Sequence, residues 1–174
     1  SEPELVRING QSGDVDILSN LASRDPALVT MPLALHVTPS AAALTAASAA
    51  AKADLILTTS GDGGVVRFAN QAASPPFLAQ AVSRTFIGLA PAAAASVQFT
   101  GSGSPDLVIA DQVFDEVNVL YRQPDGSFAR RARASYSVDR EPISMLTADV
   151  NGDQRSDLIV GHRSRNTVTV LVQS

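Results

Sequence analysis

The chain has 174 residues, a formal net charge of -4 and only 17% charged side chains; the length fits one domain, and the acidic balance argues against a nucleic-acid-binding surface. It has no cysteine and two histidines, which removes disulfides, thiolate zinc sites, Fe–S clusters, cysteine nucleophiles and His-rich metal sites. No apolar run is long enough for a membrane-spanning helix, and no basic-then-apolar leader opens the sequence, leaving a mature form, a cytosolic chain or a fragment. Alanine is abundant, and Lys52 is the one lysine beside 12 arginines, a bias common in proteins of GC-rich bacterial genomes.

In chain order, the first apolar element is Asp16-Ile17-Leu18, preceded by INGQSGDV. The next segments align with one another. Pro39 to Asp54, Pro91 to Asp106 and Pro142 to Asp157 each run from a proline to an aspartate fifteen residues on. Each aspartate opens a short apolar run: Leu55-Ile56-Leu57, Leu107-Val108-Ile109 and Leu158-Ile159-Val160. Such unbroken runs suit strands buried on both faces. A second strand follows in each copy, at 65–68, 117–121 and 168–172. Its valines alternate in the last two copies, as a strand requires. Turn residues separate the pairs: Asp62-Gly63-Gly64, Pro124-Asp125-Gly126 and Asn151-Gly152. The arginine-rich stretch 128–138 reads as an outer strand, and Phe77 and Phe128 hold matching places before the next proline.

The common aspartates stand 52 and 51 residues apart. Four short strands per period of this length predict an all-β fold of β-propeller blades, each of four antiparallel strands. The repeats are 1–38, 39–90, 91–141 and 142–174, the first abbreviated, so about three to four blades are present. Closed rings typically need four to eight. The ring is therefore expected to be incomplete, or part of an assembly in which missing blades or other chains cover the strand edges. One stretch dissents. Residues 40–53, SAAALTAASAAAKA, have the strongest helix propensity in the chain. The aligned segments 92–105 and 143–156 carry glycines and aspartates that no helix interior favours, and the alignment overrides propensity.

The last copy holds the most specific motif, Asp149-Val-Asn151-Gly-Asp153-Gln-Arg155-Ser-Asp157. Oxygen-bearing side chains at positions 1, 3, 5 and 9 can converge in a tight loop, and calcium takes six to eight hard oxygen ligands. Asp149, Asn151, Asp153 and Asp157 would offer side chains, and Arg155 its carbonyl. A metal-free turn capping two strands is the alternative. Position 12 is Val160, not the bidentate glutamate of an EF-hand. The corresponding positions elsewhere have lost ligands: Gln98, Thr100, Ser102 and Asp106 in one copy, Ala46, Ser48, Ala50 and Asp54 in another. Asp54 and Asp106 then read as carboxylates that bind loop amides. The first copy offers Asn9, Gln11, Asp14 and Asp16, a second, doubtful calcium site.

The pattern D-x-N-G-D-x-x-x-D, followed by LIVG and VTVLV, resembles the FG-GAP or VCBS repeat, the blade of integrin-alpha-type β-propellers. The resemblance implies calcium on Asp149, Asn151, Asp153, Arg155 and Asp157. It also implies an extracellular, cell-surface or periplasmic setting and a role in adhesion. The family usually has glycine at the sixth position of the loop, where this chain has Gln154.

Other constellations argue against catalysis. Neither His36 nor His162 lies near a nucleophile elbow, and GSGS at 101–104 lacks the lysine of a phosphate loop. Phe114 and Asp115, in a turn between strands, and His162 and Arg163 are candidate contact residues for a partner. Arg130, Arg131 and Arg133 form a small basic patch on the expected outer strand. The reading is a non-enzymatic, calcium-binding recognition module for protein or glycan. The rivals are a structural subunit docking by its strand edges, and the propeller part of a carbohydrate-active enzyme.

Overall fold

The computed structural model describes residues 5–9, 14–19, 27–31, 38–45, 52–71, 83–87, 90–99, 103–129 and 134–173. All regular structure among them is strand. The first sheet contains β1 (Leu5–Ile8), β2 (Val15–Ser19) and β3 (Ala27–Met31). The second contains β4 (Pro39–Thr45), β5 (Asp54–Thr59), β6 (Gly64–Phe68) and β7 (Ser83–Phe86). The third contains β8 (Pro91–Val97), β9 (Asp106–Asp111), β10 (Glu116–Leu120) and β11 (Ala134–Ser137). The fourth contains β12 (Pro142–Ala148), β13 (Asp157–His162) and β14 (Val168–Leu171). Strands follow chain order within every sheet and pair antiparallel throughout. The middle two sheets have the expected four strands. The outer two have three among the described residues.

The repeat is exact enough to recur in register. The first two strands of sheets two, three and four close on Thr45↔Asp54, Val97↔Asp106 and Ala148↔Asp157. Each inner strand also breaks register just after its opening proline, at Pro39/Ala41, Pro91/Ala93 and Pro142/Ser144. A bulge of this kind bends the strand and sharpens its twist.

The aspartates explain themselves in the same way. Asp54 accepts a hydrogen bond from the amide of Asn70 (3.0 Å), Asp106 from that of Arg122 (3.0 Å) and Asp157 from that of Gln173 (2.8 Å). Each partner lies sixteen residues on, just past the third strand. One buried carboxylate thus ties the start of the second strand to the end of the third in three successive blades, and satisfies a backbone donor there.

The inner strands are neighbours: β1 lies beside β4, β4 beside β8, and β8 beside β12. The sheets fan out from that line as propeller blades do. Close approach of β4 and β8 explains the alanines. Ala41–Ala43 and Ala92–Ala95 stand where bulkier side chains would hold the strands apart. Helix propensity was the wrong guide for 40–45, which are strand; residues 46–51 lie outside the described residues. β12 has an inner-strand neighbour on one side and carries Ile143, Met145 and Leu146 at the matching positions.

Three apolar clusters fill the spaces between blades. Val15 and Ile17 meet Leu55, Leu57, Val66 and Phe68. Ile56 and Val65 meet Leu107, Ile109, Leu120 and Phe128. Val97, Val108, Val117 and Val119 meet Leu158 and Val160. In each case the buried residues of the earlier blade are β-branched, and the later blade adds at least one leucine. The arc is open at both ends. Val168 (63% exposed) and Val170 mark the free, β-branched face of blade four, and Leu28 (58%) the free, leucine-bearing face of blade one.

The first copy departs from the alignment by one residue. Its hairpin closes on Ile8↔Val15, so Val15, not Asp16, holds the place of Asp54. Val15 and Ile17 face blade two, and Asp16 points the other way, where Arg7 and the Thr30 hydroxyl (2.7 Å) donate to its carboxylate. These bonds hold the Asp16 carboxyl below its ordinary value, Arg7 acting most strongly.

Candidate functional site

Antiparallel meanders place the β4–β5, β8–β9 and β12–β13 loops at one end of the blades. The β5–β6, β9–β10 and β13–β14 turns fall at the other. The acidic loop therefore lies on the opposite end from Phe114, Asp115, His162 and Arg163, and the two groups cannot form one site.

The acidic loop, 149–156, is exposed along its whole length and is organised by its own side chains. Asp149 accepts hydrogen bonds from the amides of Gly152 (2.7 Å) and Gln154 (2.9 Å). The Asn151 side-chain oxygen accepts from the Asp153 amide (2.9 Å), and Asp153 accepts from the Arg155 amide (2.8 Å). The Asn151 side-chain nitrogen donates to the second Asp153 oxygen (3.0 Å). Asp157 is buried at the base and also accepts the Val150 amide (2.9 Å). The Arg155 amide first, and Asn151 second, keep the Asp153 carboxyl below its ordinary value against a small opposing effect of burial. Gly152 and Gln154 both have positive φ, 83° and 67°. Gln154 thus adopts the left-handed conformation for which glycine is the usual choice.

The donor chemistry suits a hard cation. Four side chains and one carbonyl offer oxygen alone, and each carboxylate oxygen that accepts one N–H retains acceptor capacity. As the side chains stand, no group of three His, Asp or Glu is gathered to hold a metal among the described residues. Asn9 and Asp14, from the second, doubtful calcium site, flank the first hairpin loop, joined by a backbone hydrogen bond of 2.9 Å; Gln11 lies outside the described residues.

At the other end, Phe114 is 64% exposed beside an equally exposed Val113. Asp111 shapes their turn by accepting both of their amides, at 2.8 and 3.1 Å. Asp115, at φ 55°, is committed to the scaffold. Its carbonyl accepts the Val138 amide and its carboxylate the Glu141 amide, both at 2.9 Å. The sequence offered no signal for this brace across the link from blade three to blade four. His162 is buried, with Nε2 2.9 Å from the Thr169 hydroxyl; it closes β13 and presents little surface to a partner. Arg163 is exposed, and its amide donates to the Glu141 carbonyl (3.0 Å). His36 and the Arg130–Arg133 patch lie outside the described residues. No helix among the described residues is long and apolar enough to cross a membrane.

Residues 98–160 match a family model described as an FG-GAP-like repeat. The match runs from the end of β8 through most of β13 and includes the acidic loop. No curated protein matches the sequence. Among solved structures, BBS1N in complex with ARL6DN is similar over 98% of this chain and 50% of that chain, with 11% identity and a TM-score of 0.59. A second crystal of the same complex gives a TM-score of 0.61 over 43% of that chain. The periplasmic gluconolactonase PpgL of Pseudomonas aeruginosa is similar over 94% of this chain and 38% of that one, with 18% identity and a TM-score of 0.54. The chain spans half or less of these propeller-like structures. At such identities the likeness is one of fold. The chain is thus an all-β, open propeller arc that carries an FG-GAP-like repeat.

Proposed function

We propose that the chain is a non-enzymatic recognition module, working outside the cytoplasm, in which calcium stiffens the loop from Asp149 to Asp157 and loop surfaces contact a protein or glycan. The observation that carries this reading is the acidic loop itself. Five oxygen donors fall within nine residues, on an exposed loop inside the FG-GAP-like match. Asp149, Asn151, Asp153 and Asp157 would hold the ion through side chains and Arg155 through its carbonyl. Bound there, the cation would neutralise three carboxylates that otherwise repel one another. That BBS1N was crystallised with a protein partner supports a protein ligand, and the periplasmic setting of PpgL supports the location.

Thermal melting with calcium and with EDTA tests the reading. Calcium at a hundredfold excess over Kd adds about 2.7 kcal/mol, a rise in Tm of roughly 5–10 °C for a domain of this size. The shift should vanish in Asp153→Ala. Superimposable curves for the unaltered chain would remove calcium from the proposal.

A second reading, a subunit docked into a larger assembly, is favoured by the free face of blade four. Leu146, Ile159 and Val170 lie in one cross-strand row there. They occupy the positions by which blade three, through Ala95, Val108 and Val119, faces blade four. A chain that stays monomeric at high concentration, with Val170→Asp changing nothing, would argue against docking.

A further inference from the structure

The cleft between blades two and three breaks the repeat in a way its neighbour does not. Thirteen residues after the common aspartate stand Val119 and Val170 in blades three and four, but Arg67 in blade two. Sixteen residues after it stand Asn70 and Gln173 in blades two and four, but Arg122 in blade three. Two residues before it, blade two carries Lys52 where blade three, across the next cleft, has Ser104 and blade four has Arg155. A scaffold that takes valine and an amide side chain at the first two of these places elsewhere has no structural use for two guanidinium groups here.

The fold brings them to one cavity of about 340 Å³, lined by Lys52, Asp54, Arg67, Arg122, Asp125 and Gly126 among others. Its anions are spoken for. Asp125 is bonded into its own loop, accepting from the Ser127 amide (2.9 Å) and hydroxyl (2.6 Å), and the nearby Arg67 guanidinium adds a smaller contribution to holding its carboxyl below the ordinary value. Asp54 gives one oxygen to the Asn70 amide, and with the other accepts from Arg67 Nε (2.7 Å) and Arg122 Nη2 (3.5 Å). One carboxylate therefore serves two guanidinium groups.

The Arg122 side chain is only 4% exposed and is fixed by the Thr45 hydroxyl (3.1 Å) and the Phe128 ring (5.8 Å to its centre). Burial pulls its pKa below the ordinary value; Asp54 opposes this and Arg67 adds to it. Arg67 lies flat on the turn that follows. A Cβ on Gly126, at φ 81°, would stand 3.1 Å from the Arg67 guanidinium carbon. Glycine there leaves room for the guanidinium face in the mouth of the cavity.

We propose that this cleft binds an oxyanion, the carboxylate of an acidic sugar or a phosphate or sulfate group, on Arg67, Arg122 and Lys52. Planar guanidinium groups suit bidentate recognition of such anions, and with Lys52, Arg67 and Arg122 facing only Asp54 and Asp125, the lining keeps a positive charge for the ligand. Calcium has no part in it, because the acidic loop belongs to blade four.

The test is a ¹H–¹⁵N NMR titration of the full chain with glucuronate, inorganic phosphate and uncharged glucose, at ionic strength held constant with chloride. Saturable shifts of the Asn70, Arg122 and Gly126 amides and the Arg67 Nε–H signal are expected with at least one anion and not with glucose. Arg67→Gln should weaken that binding at least about tenfold, the loss of one charged hydrogen-bond pair. Lys52→Gln, an exposed substitution that leaves the blade packing alone, should weaken it about threefold and keeps the test valid if Arg67→Gln unfolds. Saturation by phosphate alone assigns a phosphoryl or sulfate group, and by glucuronate alone a sugar acid. No saturable shift with either anion, or shifts of equal affinity in both variants, would overturn the proposal.

Discussion

Blades three and four share one frame and differ in nearly everything hung upon it. Each opens with a seven-residue strand from proline and a six-residue strand from aspartate. Blade three is covered on both faces, its second strand is buried throughout, and its equivalent loop positions include Gln98 and Ser102 in place of acids. Blade four is covered on one face, carries the acidic loop, and leaves Leu146, Val168 and Val170 exposed. What the two share is therefore the aspartate, the bulge and the apolar second strand. Loop chemistry and face chemistry vary freely around this frame.

The largest expected contrast lies in the cores. Leu107→Ala, at a fully buried position of blade three, should cost about 2–5 kcal/mol in urea unfolding. Leu146→Ala, on the free face of blade four, should cost well under about 1 kcal/mol. Equal losses would mean that the free face is covered in solution. The aspartates give a finer contrast. Asp157 uses both oxygens, for Val150 and Gln173, whereas the second oxygen of Asp106 has no hydrogen-bond partner. Asp157→Asn should therefore lose about 1–3 kcal/mol, and Asp106→Asn less than about 1, by the same measurement.

The loops invert the ranking of glycine. Gly103 has φ 80° in blade three, at the position where blade four has Gln154. No atom lies within 4 Å of a Cβ built on Gly103, so backbone strain alone is at issue. Gly103→Gln should destabilise by about 1 kcal/mol and Gln154→Gly should stabilise by up to about that amount, read as opposite shifts in Tm.

The smallest effect is that of acid. The folded Asp153 carboxyl titrates below its ordinary value of 3.8. Its contribution is present above that value and is lost as pH falls through the lower folded pKa. Amide exchange at 150–155, compared between pH 5 and pH 3 after correction for intrinsic rates, should lose protection. The amides of Gly103 and Ser104 should not, since that part of the loop carries no acid of its own. Matching losses would place the change in the blades and not in the loop.

Much of this frame could be read in the residues because each copy repeats the same physical demands: a fully apolar strand, a turn, an alternating strand. The carboxylates of Asp54 and Asp106 were legible as amide acceptors for the same reason. What escaped were features set by geometry between copies. Asp16 carries the right motif in the wrong register, because its hairpin loop is two residues shorter than the later ones. The alanines look helical in isolation and become intelligible only where two inner strands touch. His162 reads as a surface residue because its neighbours are polar, yet Thr169 across the hairpin draws it inward. Arg67 and Arg122 are 55 residues apart, and only the packing of one blade on the next makes them partners.

The polarity of the blade faces has a consequence for how such an arc can grow. With buried β-branched side chains in front and at least one buried leucine behind at each of the three interfaces, the array has a fixed sense, like bricks with studs on one side and sockets on the other. A duplicated stretch of some fifty codons spliced between two copies would find a mate on both sides at once. A reversed or half-period insertion would find none, so lengthening by whole units is the change this architecture tolerates most readily.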